Sequence, residues 1–149
     1  MSAETDLIKL YSGRILALAS AIPNAGRLDA PDASATRRSP LCGSTVTVDV
    51  AMDGPRIAEM GQDVKACALG QASAAVVGEA AAGKTLAEVE AGRDALRAML
   101  KGGPVPDGDW AGFEVLEPAR DYRNRHASIM LSIEALAEAM AAAKARAAG

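Results

Sequence analysis

The residues of this chain that could do chemistry are few: two cysteines, Cys42 and Cys67, and one histidine, His126, in 149 residues. Cys42 lies in RSPLCGSTVT between Pro40 and Gly43, which mark a loop, whereas a cysteine kept only for packing sits inside a helix or strand as a small inert hydrophobe. Cys67 opens ACALGQASA, a run of small helix formers, and His126 falls in the first turn of an expected last helix. The partial positive charge of a helix N-terminus favours a thiolate at Cys67. Two thiolates and an imidazole form a borderline-soft donor set that suits Zn2+, with a fourth position for water, another ligand or a substrate. The intervals of 25 and 59 residues exceed those of short zinc motifs. On residue types alone, two packing thiols and a surface histidine therefore remain an open alternative.

Elements must bring such residues together, and hydrophobic spacing supplies them. From Asp6 to Ile22, the residues Leu7, Tyr11, Ile15, Leu18 and Ile22 recur every three or four positions, a helical stripe stopped by Pro23-Asn24 and Gly26. Residues 29–40, with Pro31 and Arg37-Arg38, read as irregular or as an edge strand. Residues 45–53 alternate, with Val46, Val48, Val50 and Met52 on one face and Thr45, Thr47, Asp49 and Ala51 on the other, so a half-buried strand is expected. Asp53-Gly54-Pro55 turns this strand into a second one with Ala58, Met60, Gln62 and Val64 as its weaker inner face. Helices are expected over 67–82, 85–100 and 124–147; in the last, Ile129, Ile133, Leu136, Met140 and Ala143 repeat every three or four residues. Residues 102–112 are turn-rich, with Trp110 and Phe113 placed to pin them to the body. Cys42 thus precedes a strand, and Cys67 and His126 each begin a helix.

The length suits one domain over residues 1–149, able to bury a core without disulfides and showing no repeat or linker. With half its residues hydrophobic but only one Trp, two Tyr and one Phe, the chain calls for closely approaching helices around Leu, Ile, Val and Met. A net charge of −3 and the lack of a concentrated basic stripe argue against a nucleic-acid partner. No apolar run approaches the roughly 18 residues that span a bilayer, and Glu4 and Asp6 stand where a signal peptide is positive. A cytoplasmic protein with no membrane partner is expected, and there two cysteines read as packing thiols, ligands or reactive thiols. The serines show no Ser-His-acid arrangement and the glycines no phosphate loop.

Three motifs in order, SPLCGS before an alternating strand, ACALGQASA opening a helix and PARDYRNRHASIMLSIEAL near the end, resemble the iron–sulfur cluster scaffold family, the NifU N-terminal domain with its IscU and SufU relatives. The resemblance covers about residues 5–145, and the stretch from Arg93 to Pro118 looks like the insertion of the SufU type. It implies an α+β fold of NifU/SufE-like type: a small antiparallel sheet of about three strands packed against several helices, with a metal site at one end. Relatives carry three cysteines and an aspartate there. Cys42 and Cys67 match two of the cysteines, His126 is matched to the third, and Ser44 to the aspartate. The implied metal set is Cys42, Cys67, His126 and Ser44, with Zn2+ as the expected ion and iron or an iron–sulfur cluster as the alternative cargo. The IscU branch's chaperone signal is missing; PARDYR stands near its place.

The implied function is iron–sulfur cluster biogenesis, as a zinc-dependent sulfur acceptor in which Cys42 takes sulfur from a cysteine desulfurase. Arg125 is placed to steer an anionic persulfide or to pair with Asp63. A downstream iron–sulfur carrier or apo-protein would be the further partner. Two other readings stay open: a scaffold that holds a labile cluster, and a metal-free interaction module, which Ser44 and His126 permit.

Overall fold

The computed structural model describes residues 12–40 and 43–148. In chain order these form α1 (Gly13–Ala19), β1 (Ala33–Arg38), β2 (Thr45–Asp53), β3 (Arg56–Lys65), α2 (Ala68–Ala80), α3 (Leu86–Leu100), a run of 3₁₀ turns over Gly108–Asp121, and α4 (Arg123–Ala148). The strands make one antiparallel sheet in the order β1-β2-β3. Helix α4 lies against β1 and β2 and also packs on α2 and α3, while α1 rests on α2. The expected α+β architecture is the one observed.

Val46, Val48 and Val50 are buried on the helix side of β2, as the alternation requires. In β3 the alternation changes phase. A bulge opposite Ala51 and Met52 leaves Ala58 exposed and turns Ile57 inward in its place, while Met60 and Gln62 stay buried. The expected helix over 6–22 is described only from residue 12, where Ser12 caps α1 by accepting from the Ile15 N–H at 3.4 Å. Thr85 and Glu88 form a reciprocal capping box that starts α3. Phe113 is fully buried and stacks on Trp110, their rings 5.9 Å apart. Gly92 of α3 makes room for the indole, since a Cβ there would come within 2.5 Å of it.

The outer face of the sheet is not simply solvated. Asp49, on that face of β2, is fully buried. Its neighbour across the ladder is Gly61, and a Cβ at Gly61 would lie 2.6 Å from the Gly26 carbonyl oxygen. Having no side chain there lets residues 26–28 cross over the sheet and cover Asp49. The edge of β3 is closed by the same segment, because the Gly26 N–H donates to the Gln62 carbonyl (2.7 Å) and the Gln62 N–H to the Asn24 carbonyl (2.9 Å).

Candidate functional site

Strand β2 begins and β3 ends at the same end of the sheet, with Thr45 opposite Lys65. Two connections meet there: the 39–44 loop between β1 and β2, and the short link from β3 into α2. The loop is closed by the Ser39 N–H donating to the Ser44 carbonyl (2.8 Å) and by the Gly43 N–H donating to the Ser39 carbonyl (3.0 Å). Gly43 has φ 70°, a conformation that favours glycine. Leu41 and Cys42, and with them the expected loop thiol, lie outside the described residues.

Cys67 is the N-cap of α2 and is half-buried. Its Sγ lies 3.5 Å from Ser128 Oγ on α4, and the Ser128 hydroxyl donates to Ser44 Oγ at 3.1 Å. Burial pushes the Cys67 thiol up, but the Ser128 hydroxyl, the Gly70 and Leu69 amides and the Arg125 side chain together hold it below its usual value. Ser128 has a single hydroxyl proton, which can turn from Ser44 to the sulfur as Cys67 ionises. Gly70 permits this approach of α4, since a Cβ there would sit 2.7 Å from Ser128 Oγ. Alkylation of Cys67 by iodoacetamide, followed against pH in a Cys42→Ser background, is expected to show a midpoint below the roughly 8.5 of a free thiol. Ser128→Ala should move that midpoint upward; an unchanged midpoint would remove the serine from this role.

His126 is directed elsewhere. Its Nε2 lies 3.0 Å from the Ala119 carbonyl oxygen and 3.1 Å from that of Arg120. Both partners are acceptors, so Nε2 carries the proton and donates. The ring thereby ties the end of the 3₁₀ run to the start of α4. Arg125 and Ser128, three residues apart, share the face of α4 that looks toward Cys67, whereas His126 is rotated from Ser128 by about 160° around the helix. Matching RHAS to a family motif takes residue type into account but not helical phase. Of the four residues expected to hold a metal, Ser44 and Cys67 meet through Ser128, His126 is not brought to them, and Cys42 is not located. Among the described residues there is no group of three or more His, Cys, Asp or Glu side chains able to hold a metal. Without Cys42, which lies outside the described residues, one thiol and two hydroxyls do not make a zinc donor set. No ion pair joins Arg125 to Asp63 among the described residues; Arg125 favours the Cys67 thiolate instead.

Ser128 is the site residue that sequence reasoning missed. The available signal was its position three residues after Arg125 on a helix whose inward residues, Ser132 apart, are otherwise apolar or alanine.

The model of the NifU-like N-terminal domain family matches residues 10–146. The crystal structure of a nitrogen-fixing NifU-like protein (N-terminal) from Brucella abortus is 42% identical and superposes with a TM-score of 0.91, covering 95% of this chain and 99% of that one. FiSufU from Fervidobacterium islandicum AW-1, described as a candidate iron–sulfur cluster assembly scaffold protein for the SUF system, is 22% identical with a TM-score of 0.82, over 89% of this chain and 97% of its own. At that identity the second likeness speaks for the fold. No curated protein matches the sequence. Among the described residues no helix is long and apolar enough to cross a membrane.

Proposed function

Because this chain belongs to the NifU-like N-terminal domain family, we propose that it works in iron–sulfur cluster assembly, taking sulfur from a cysteine desulfurase on Cys42 and using Cys67 as a second thiolate for the cluster under construction. The observation that carries this reading is the environment of Cys67: a helix N-terminus, the Ser128 hydroxyl and Arg125, all favouring the thiolate. A thiolate is the nucleophile of sulfur exchange and the ligand of iron. In the exchange, the Cys42 thiolate attacks the outer sulfur of the donor's persulfide. A new S–S bond forms, the donor's S–S bond breaks, the donor cysteine leaves as thiolate, and no net oxidation occurs.

A cluster, as cargo, would rest on Cys42 and Cys67, with its remaining ligands drawn from a small thiol or a second chain. A zinc set of Cys42, Cys67, His126 and Ser44 would require His126 to release two carbonyls and turn around its helix. Sulfur transfer and cluster binding therefore rest on the two thiols.

The test is incubation with a cysteine desulfurase and cysteine, followed by peptide mass spectrometry. A persulfide on Cys42, lost in Cys42→Ser and retained in Cys67→Ser, is expected. Labelling of neither thiol, together with no retained iron or acid-labile sulfide after reconstitution, would overturn the reading.

A further inference from the structure

Folding gathers cations that are scattered along the sequence. The end of β1, the end of α3, the end of the 3₁₀ run and the start of α4 enclose two adjoining clefts of about 780 and 410 Å³, which share Leu100, Lys101 and His126. Six cations line them (Arg37, Arg38, Arg97, Lys101, Arg120 and Arg123) against two carboxylates, Asp121 and Glu134. Arg37 and Arg97 are engaged with Glu134, and Arg120 pairs with Glu117. Arg38, Lys101 and Arg123 are exposed and make no ion pair among the described residues. In a chain of net charge −3 this face is cationic. Its floor is apolar: Leu100, Met130 and Leu131 lie at the base of the clefts.

We infer that this face docks an acidic segment of a partner protein, an extended stretch that sets carboxylates against Arg38, Lys101 and Arg123 and an apolar side chain on the Leu100–Met130–Leu131 floor. Charge complementarity selects the acidic partner. The clefts are open and run across four elements, a shape that suits an extended chain more than one small anion, and the apolar floor answers side chains that a phosphate backbone lacks. Pro40 and Ala127 line the smaller cleft. A segment seated here therefore stands beside Pro40, just past the end of β1, and against Ala127 of α4.

The test uses the full chain and an array of synthetic twelve-residue peptides at about 150 mM salt, where surface attraction between charges is reduced. Acidic peptides containing Leu or Phe are expected to bind in preference to acidic peptides without an apolar residue and to neutral or basic ones. Titrating the best of them into isotopically labelled protein should shift the amides of Arg38, Lys101, Arg123 and His126. The triple variant R38E/K101E/R123E should bind it about tenfold or more weakly, with an unchanged circular dichroism spectrum and unchanged alkylation of Cys67. Absence of the acidic-apolar preference, shifts confined to another face, or binding of single-stranded DNA to this face as tight as that of the best peptide would each overturn the proposal.

Discussion

Replacing Gln62 by alanine is expected to cost about 3–4 kcal/mol of folding stability, combining lost hydrogen bonds with a core cavity. The side chain is 1% exposed and joins three other parts of the chain. Its Nε2–H groups donate to the Ala74 carbonyl of α2 (2.9 Å) and the Pro23 carbonyl after α1 (3.4 Å), and its Oε1 accepts from the Ser132 hydroxyl of α4 (2.9 Å). Truncation leaves a hydroxyl and two carbonyls without this partner, and water entering the cavity offsets only part of that loss. Gln62→Met keeps most of the volume and isolates the polar loss, for which about 2 kcal/mol is expected. Removing Ser132 Oγ as well should cost less than the sum of the two single changes, because both ends of one bond are then gone. Urea titrations followed by circular dichroism measure Gln62→Ala, Gln62→Met, Ser132→Ala and the double change. A loss under about 1 kcal/mol for Gln62→Ala would show that the hub does not hold the helices to the sheet.

The second large effect is at Asp49. Its carboxylate accepts from Arg27 at 2.7 and 3.0 Å, from the Leu28 N–H at 2.9 Å and from the Ser34 hydroxyl. The Arg27 hydrogen bond, helped by those of Ser34 and Leu28 and opposed by burial, holds the Asp49 carboxyl below its usual value. Asp49→Ala is expected to cost about 2–3 kcal/mol, since the Leu28 and Ser34 donors are left without this acceptor. The Arg27 side chain is 54% exposed and can turn to water, which keeps the loss below that for a wholly buried pair. A folded-state value lowered below the unfolded one means that this stabilisation is complete above the unfolded aspartate value near 3.9. It is lost as pH falls below that and through the folded value. The gap in stability between wild type and Asp49→Ala should therefore be constant from pH 7 to 5 and narrow in more acidic solution. A gap that widened with acid would contradict the assignment.

The β2 alternation, the helical stripe from Ile129 to Ala143 and the start of α2 at Cys67 were legible in the amino-acid sequence, whereas the first helix ends at Ala19, short of the Pro23 expected to stop it. Each rests on a period or a cap that acts within a few residues. The family resemblance was legible for the same reason, as three short motifs in order, and it carried the α+β expectation. Tertiary structure alone decided what lies across those elements. Asp49 looked solvent-facing because the segment that buries it, residues 26–28, comes from another part of the chain and crosses only where Gly61 leaves space. Ala58 faces outward because a bulge shifts the β3 register against β2. His126 has the residue type of a ligand, but the packed phase of α4 turns Ser128 and Arg125 toward Cys67 and hands the imidazole to the Ala119 and Arg120 carbonyls. The cationic face was invisible as a run because its charges come from four separate elements. Periodicity is a property of neighbours along the chain, whereas burial, hydrogen-bond partners and the local field depend on which distant segments pack together.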